Sequence, residues 1–244
     1  MATQTKVALV TGANKGIGLE IARNLCRAGC TVLVGARNAE RGQDAVRQLA
    51  QSGLTDVHFI EIDVALQKTI AAAAQEIEKT WGRLDILINN AGINLRGDGL
   101  PGVADLNAVQ LVFDINFFGA LRVAQTMLPL LRKSAGGRIV NISSGLGSLT
   151  FNSDPKWTGR DVKLIGYNAS KAALNMLTVH LAYELRETGI KVNSANPGYT
   201  KTDLNHQQGT QPVEVGAIAA TRLALLEEDG PTGLSFSKDG PDPW

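Results

Sequence analysis

The chain has 244 residues, enough for one large α/β domain, with 44% hydrophobic and 19% charged residues, the balance of an ordinary globular protein with material for a core. Its formal net charge is +1 with Lys and Arg scattered, which argues against a nucleic-acid partner or a membrane-surface role. Cys26 and Cys30 do not match the redox C-x-x-C spacing, and two free thiols fit a reducing compartment rather than a disulfide framework.

The apolar stretch at 7–10 is too brief for a signal-peptide core, and no apolar run looks long enough to span a bilayer, so the expected location is cytoplasmic. Apolar runs then alternate with helical patterns. Residues 7–10 read as a buried strand, 16–28 as a helix, 31–34 as the second strand and 39–51 as the second helix. A third strand at 57–61 and a helix over 68–80 lead to a fourth strand at 86–88. A long helical segment over 105–132 precedes the fifth strand at 138–142, and a helix from Tyr167 to about 187 precedes the sixth at 190–193. A helix near 213–226 and a short seventh strand at 233–236 close the chain. Strands that are apolar throughout, with helices between them, imply a parallel sheet covered on both faces, with right-handed crossovers. The expected fold class is α/β: a doubly wound, Rossmann-type parallel sheet of about seven strands, one domain over 1–244, with ligands at the carboxyl ends of the strands.

The first strand runs into Thr11-Gly12-Ala13-Asn14-Lys15-Gly16-Ile17-Gly18. Glycines at a strand-to-helix turn let a phosphate approach the backbone, and the helix N-terminus adds amides and partial positive charge. The spacing is G-x-x-x-G-x-G rather than G-x-G-x-x-G, and a tight βα turn without a ligand would also use glycines. After the second strand stands Arg37, about 20 residues past the turn. Lys15 in the turn and Arg41 one helical turn on are further cations. An acid at position 37 would bond the ribose hydroxyls of NAD; a guanidinium suits the 2′-phosphate of NADP, so the expected cofactor is NADP(H). A solvated basic helix start is the plainer alternative.

Gly166-Tyr167-Asn168-Ala169-Ser170-Lys171 heads the helical run that continues through Leu174, Leu177, Leu181 and Leu185. Tyr167 and Lys171, four apart, project from one face. A phenol has a pKa of roughly 10. A nearby ammonium favours the phenolate, and a tyrosine tuned this way can exchange a proton with a substrate oxygen. By itself the pair is also common on helix surfaces.

Taken together, the motifs resemble the short-chain dehydrogenase/reductase family over nearly the whole chain. They are Thr11-Gly12-x-x-x-Gly16-x-Gly18, Asp63, Asn89-Asn90-Ala91-Gly92, Asn116, Ser143-Ser144, Tyr167-x-x-x-Lys171 and Pro197-Gly198-Tyr199-Thr200. Within the family, the glycine turn, Gly35-Ala36-Arg37-Asn38 and the closing Asp239-Gly240-Pro241-x-Pro243-Trp244 look most like the NADPH-dependent carbonyl reductases. The resemblance implies a catalytic set of Asn116, Ser144, Tyr167 and Lys171. Ser144, the second of its pair, would donate a hydrogen bond to the substrate carbonyl. Tyr167 would protonate the nascent alkoxide. Lys171 would lower the tyrosine pKa and hold the nicotinamide ribose, and Asn116 would hold a water in a relay to Lys171.

The resemblance further implies cofactor contacts from Gly12, Asn14, Lys15, Gly16, Ile17, Gly18, Arg37, Asn38, Arg41, Asp63, Val64, Asn90, Ala91, Gly92, Tyr167, Lys171, Pro197, Gly198, Thr200 and Thr202. Asp63 reads equally well as an adenine contact and as a helix N-cap. The implied activity is reversible NADPH-dependent reduction of ketones or aldehydes, the partner a small-molecule carbonyl or alcohol. A non-catalytic nucleotide-binding redox sensor on the same fold is the alternative, and it would be expected to carry a broken catalytic set.

Two departures from the family pattern matter. Ser144 and Tyr167 are 23 positions apart, further than in many members. The added polar stretch, about 151–164, is expected as a surface excursion beside the substrate pocket. It is shorter than the insert that goes with a monomeric state in related carbonyl reductases, which leaves homo-oligomer and monomer both open. The stretch 201–211 is short where many relatives carry a longer lid, so an open pocket is expected. His58, His180 and His206 lie apart with no metal-ligand spacing, and no metal site is expected.

Overall fold

The computed structural model describes residues 5–244. The chain alternates β1 (Val7–Thr11), α1 (Gly16–Arg27), β2 (Thr31–Ala36), α2 (Ala39–Gln51), β3 (Val57–Glu61), α3 (Gln67–Trp81) and β4 (Ile86–Asn89). Then come α4 (Leu106–Phe113), a π-helical segment (Asp114–Gly119), α5 (Ala120–Leu131), β5 (Arg138–Ile142), α6 (Leu149–Ser153), α7 (Ile165–Glu184) and β6 (Lys191–Ala195). The last elements are α8 (Val213–Gly216), α9 (Ile218–Ala224), β7 (Ser235–Ser237) and β8 (Gly240–Asp242).

The eight strands form one sheet in the order β3-β2-β1-β4-β5-β6-β7-β8. All neighbours pair in parallel except β7 and β8. The strand order reverses between β1 and β4, the point at which a doubly wound sheet opens a crevice at the carboxyl ends of its strands.

Period-two alternation divides the core into two layers. Leu9, Leu33, Leu87, Ile139 and Val192 point to one side, under α3, α5 and α7. Ala8, Val10, Val32, Val34, Ile86, Ile88 and Val140 point to the other, under α1, α2 and α9. Because both faces are covered, β1, β2 and β4 are buried along their whole length and largely apolar, whereas β3, at the sheet edge, leaves His58 and Glu61 exposed.

Three features differ from the sequence expectation. Residues 240–242 form an eighth strand whose Pro241 pairs with Phe236. Proline lacks an amide to donate and is tolerated there because β8 is the sheet edge. The expected helix over 213–226 is broken into α8 and α9 at Ala217. Leu106–Leu131 is a continuous helical rod of 26 residues, long and apolar enough to cross a bilayer, contrary to the expectation that no such run exists. One side of it serves the core: Val112, Val123, Ala124, Met127 and Leu131 are fully buried, while Leu106, Leu111 and Phe118 are exposed.

Candidate active site

The glycine turn and the end of β4 are braced against each other. Thr11 Oγ1 accepts from the amides of Asn90 at 3.0 Å and Ala91 at 3.1 Å. The Asn90 side-chain amide in turn donates to the carbonyl of Thr11 at 2.8 Å and of Gly12 at 3.2 Å. Gly12 has φ +64°, and a Cβ on it would lie 3.0 Å from Ala91 Cα; a Cβ on Gly18 would lie 2.4 Å from the Asn90 amide nitrogen. Only glycine fits either place. The turn therefore presents bare backbone at the head of α1, whose N-cap, Lys15, makes no side-chain capping bond. The open amides of Gly16, Ile17 and Gly18 suit an anionic group there.

Beyond β2, Arg37 is exposed, and Asn38 caps α2 by accepting from the Arg41 amide at 2.9 Å. A cleft of about 430 Å³ lies here, lined by Asn14, Lys15, Arg41, Asp44 and Asp203. Lys15 Nζ reaches across it to Asp203 Oδ2 at 2.6 Å. That hydrogen bond, with a second from Gln207, holds the Asp203 carboxyl below its usual range. The residues present thus fit a phosphorylated dinucleotide: bare backbone for a pyrophosphate, and exposed cations near the carboxyl end of β2 for a further phosphate.

The remaining expected contacts fall into two groups. Thr202 comes over the glycine turn, its methyl 3.7 Å from where a Gly16 Cβ would stand. Gly198 follows β6 with φ +69°. Thr200, by contrast, is buried, and its hydroxyl donates inward to the Pro197 carbonyl at 2.9 Å, pinning its own loop. Asp63 accepts from the Ala65 amide at 3.0 Å. It is not the helix N-cap, since Leu66 holds that position for α3. Val64 is buried in the core.

On the other side of the crevice, β5 ends at the serine pair. Ser143 is buried and donates to Asn175 Oδ1 at 2.6 Å, so its hydroxyl is structural. Ser144 accepts from the Leu146 amide at 3.1 Å, and its hydroxyl lies near enough to the Tyr167 phenol to lower that phenol's pKa. Lys171 is buried on α7, its Nζ donating to the Ile142 carbonyl at 2.8 Å and standing 5.6 Å from the centre of the Tyr167 ring. Burial pushes the Tyr167 phenol up to about 12, against a smaller lowering by Ser144. Burial pushes the Lys171 ammonium down to about 8. The expected lowering of the phenol by the lysine does not occur: burial raises the phenol, and the one opposing influence is Ser144.

Asn116 sits in the π-helical segment, a kind of widened turn common at functional sites. Its side chain pairs reciprocally with the Ile93 backbone, accepting from the amide at 2.8 Å and donating to the carbonyl at 2.9 Å. It also donates to Ser170 Oγ at 3.1 Å, and Ser170 donates to the Tyr167 carbonyl at 2.8 Å. Ser170 is a link that sequence reasoning left out, although it lies inside the tyrosine motif. Gly92 brings the two groups together: a Cβ on it would meet Asn116 Oδ1 at 3.3 Å and Lys171 Nζ at 3.5 Å.

A doubly wound sheet with a bare-backbone turn at its switch point, facing a buried lysine and a tyrosine–serine pair, defines a dinucleotide-cleft α/β protein with acid–base groups. The family model for short chain dehydrogenases matches residues 6–212, and the chain belongs to that family. It is 39% identical over 230 residues to the short-chain dehydrogenase anuI of Penicillium roqueforti, covering 92% of this chain and 90% of that one. It is 36% identical over 266 residues to carbonyl reductase [NADPH] 3 of Rattus norvegicus, covering 94% of each. Among solved structures it resembles NADPH-bound carbonyl reductase from chicken fatty liver, with TM-score 0.85 and 28% identity over 99% of this chain and 100% of that one. It also resembles salutaridine reductase from Papaver somniferum, with TM-score 0.83 and 28% identity over 95% of this chain and 99% of that one.

Proposed function

We propose that the chain, working as one domain over 1–244, is an NADPH-dependent reductase of ketone or aldehyde carbonyls, reversible as an alcohol dehydrogenase. The observation that carries this is the meeting of Ser144, Tyr167 and Lys171 at the carboxyl edge of β5, opposite the glycine turn. NADPH, when bound, supplies the hydride. Arg37, Arg41 and Lys15 hold its 2′-phosphate, and the amides of 16–18 hold its pyrophosphate. Ser144 donates to the carbonyl oxygen and stabilises the charge that develops there. Tyr167, protonated at neutral pH, gives its proton to that oxygen. Lys171 presents a cation beside the phenol, and Asn116, near it across Gly92, would hold the water that resupplies the proton.

The outer part of the substrate would reach a cavity of about 250 Å³ formed by Phe151, Trp157, Asn196, Pro197, Gly198 and the β7–β8 hairpin, which Ser144 and Tyr167 do not line but which Gly145, next to Ser144, borders at Trp157. Phe151 and Trp157 stack there with ring centres 5.2 Å apart, which favours a carbonyl carrying an apolar or aromatic group. Met176, Val179 and Tyr183 form an exposed apolar row on α7, and Leu106 and Leu111 are exposed on α4. That row supports pairing with a second copy over a monomer. The two free thiols support a cytoplasmic location.

A panel of aryl and alkyl ketones, assayed with NADPH and with NADH, tests the reading. Consumption of NADPH with formation of the alcohol is expected for part of the panel. Binding of NADPH with no turnover of any member would favour a sensor.

A further inference from the structure

The helix that carries Tyr167 begins without a cap of its own. Leu164 stands at the N-cap of α7, and its side chain has nothing to accept with. The first N–H groups of a helix have no partner within it and must find one outside. Here one loop, far earlier in the chain, supplies the first three. The Ile165 amide donates to the Gly99 carbonyl at 2.9 Å, the Gly166 amide to Asp98 Oδ1 at 2.8 Å and the Tyr167 amide to Asp98 Oδ2 at 2.8 Å. The carboxylate spans two consecutive amides, the second that of Tyr167 itself, and its charge suits the positive end of the helix dipole.

The approach is tight. A Cβ on Gly166 would lie 3.1 Å from Asp98 Oδ2 and 3.1 Å from Val109 Cα, so glycine at 166 is what lets the carboxylate reach the helix. The loop is anchored at its far end as well. The Asp105 amide donates to the Gly97 carbonyl at 2.9 Å, and Asp105 caps α4 by accepting from the Asn107 amide at 2.9 Å. Asp98 thus connects the start of α4, which leads into the turn holding Asn116, to the first turn of α7.

We propose that Asp98 is a positioning residue for proton transfer: it fixes the height and rotation of the first turn of α7, and with it the phenol of Tyr167 relative to Ser144. This rests on the reading of Tyr167 as the proton donor. Reacting groups misplaced by about 1 Å can cost about a hundredfold in rate, so the consequence reaches the chemistry and not only the fold.

The test compares wild type, Asp98→Ala, Asp98→Asn and Tyr167→Phe. Amide hydrogen exchange is measured on the cofactor-free proteins, NADPH binding by its fluorescence, and ketone reduction with NADPH deuterated at the transferred position. In Asp98→Ala the amides of 166 and 167 should exchange faster while those of β1 and β4 stay slow. Its kcat should fall about tenfold to a hundredfold, with NADPH affinity and the ketone KM unchanged and a larger primary isotope effect. Asp98→Asn keeps one acceptor oxygen, so it should fold like wild type and fall between the two. If Asp98→Ala does not fold, Asp98→Asn decides. An unchanged kcat with the amides released would overturn the proposal. So would a kcat loss that only follows the folded fraction, with no change in isotope effect. A fully active Tyr167→Phe would instead overturn the reading beneath it.

Discussion

Gly147 lies directly against Lys171: a Cβ on the glycine would stand 2.8 Å from the lysine Cβ and 2.8 Å from its backbone carbon. This contact seats the turn that carries Ser144 on the helix that carries Tyr167. Replacing Gly147 by Ala must push the two apart. Overpacking of this kind costs about 1–3 kcal/mol, or a Tm lower by roughly 2–12 °C in a chain of this size. Turnover should fall with it, since Ser144 moves away from the phenol. Calorimetry and a ketone assay check both; an unchanged Tm and kcat would mean the contact relaxes without consequence.

The opposed shifts of the two helix residues set a pH dependence. With the phenol at about 12 and the lysine at about 8, Tyr167 stays protonated while Lys171 loses its charge as pH rises through 8. Reductive kcat/KM, which reports groups of the free enzyme, should be flat well below pH 8 and fall through it. Lys171→Met should remove that limb at a much lower rate. A profile flat until the tyrosine itself titrates would show that the lysine charge does not matter to the step.

Arg37→Asp should exchange a charge-assisted contact for a repulsion at the proposed 2′-phosphate. Bonds to charged groups contribute about 1.5–3 kcal/mol. The NADPH/NADH ratio of kcat/KM should therefore fall at least about tenfold. An unchanged ratio would move the phosphate site elsewhere.

Trp157→Ala removes one side of the aromatic stack over the pocket beside Pro197. An aromatic pair is worth about 0.5–1.5 kcal/mol beyond its buried area. The KM for aryl ketones should rise several-fold, with NADPH affinity unchanged. A change in NADPH affinity alone would place Trp157 outside the substrate pocket.

Much of this arrangement can be read from the chain itself. Apolar runs bounded by turn residues mark β1 to β6 within a residue or two, most plainly in β1, β2 and β4, where both faces are buried. Tyr167 and Lys171 meet on one face because four residues make one helical turn. What escapes the sequence is what depends on long-range assembly. Pro241 reads as a turn residue and becomes a strand residue only because β8 lies at the edge. The direction of the Tyr167 shift follows from burial, which belongs to the assembled fold. Lys15 and Asp203 are 188 positions apart, and no local pattern pairs them. Asp98 likewise caps a helix far along the chain, and no local pattern pairs it with residues 166 and 167.

The central claim is that the Tyr167 hydroxyl delivers the proton to a bound carbonyl oxygen. Tyr167→Phe removes that oxygen and little else. Single-turnover reduction of a ketone should then be lost by orders of magnitude while NADPH fluorescence still reports binding at wild-type affinity. A Tyr167→Phe variant that reduced the ketone at the wild-type rate would contradict it.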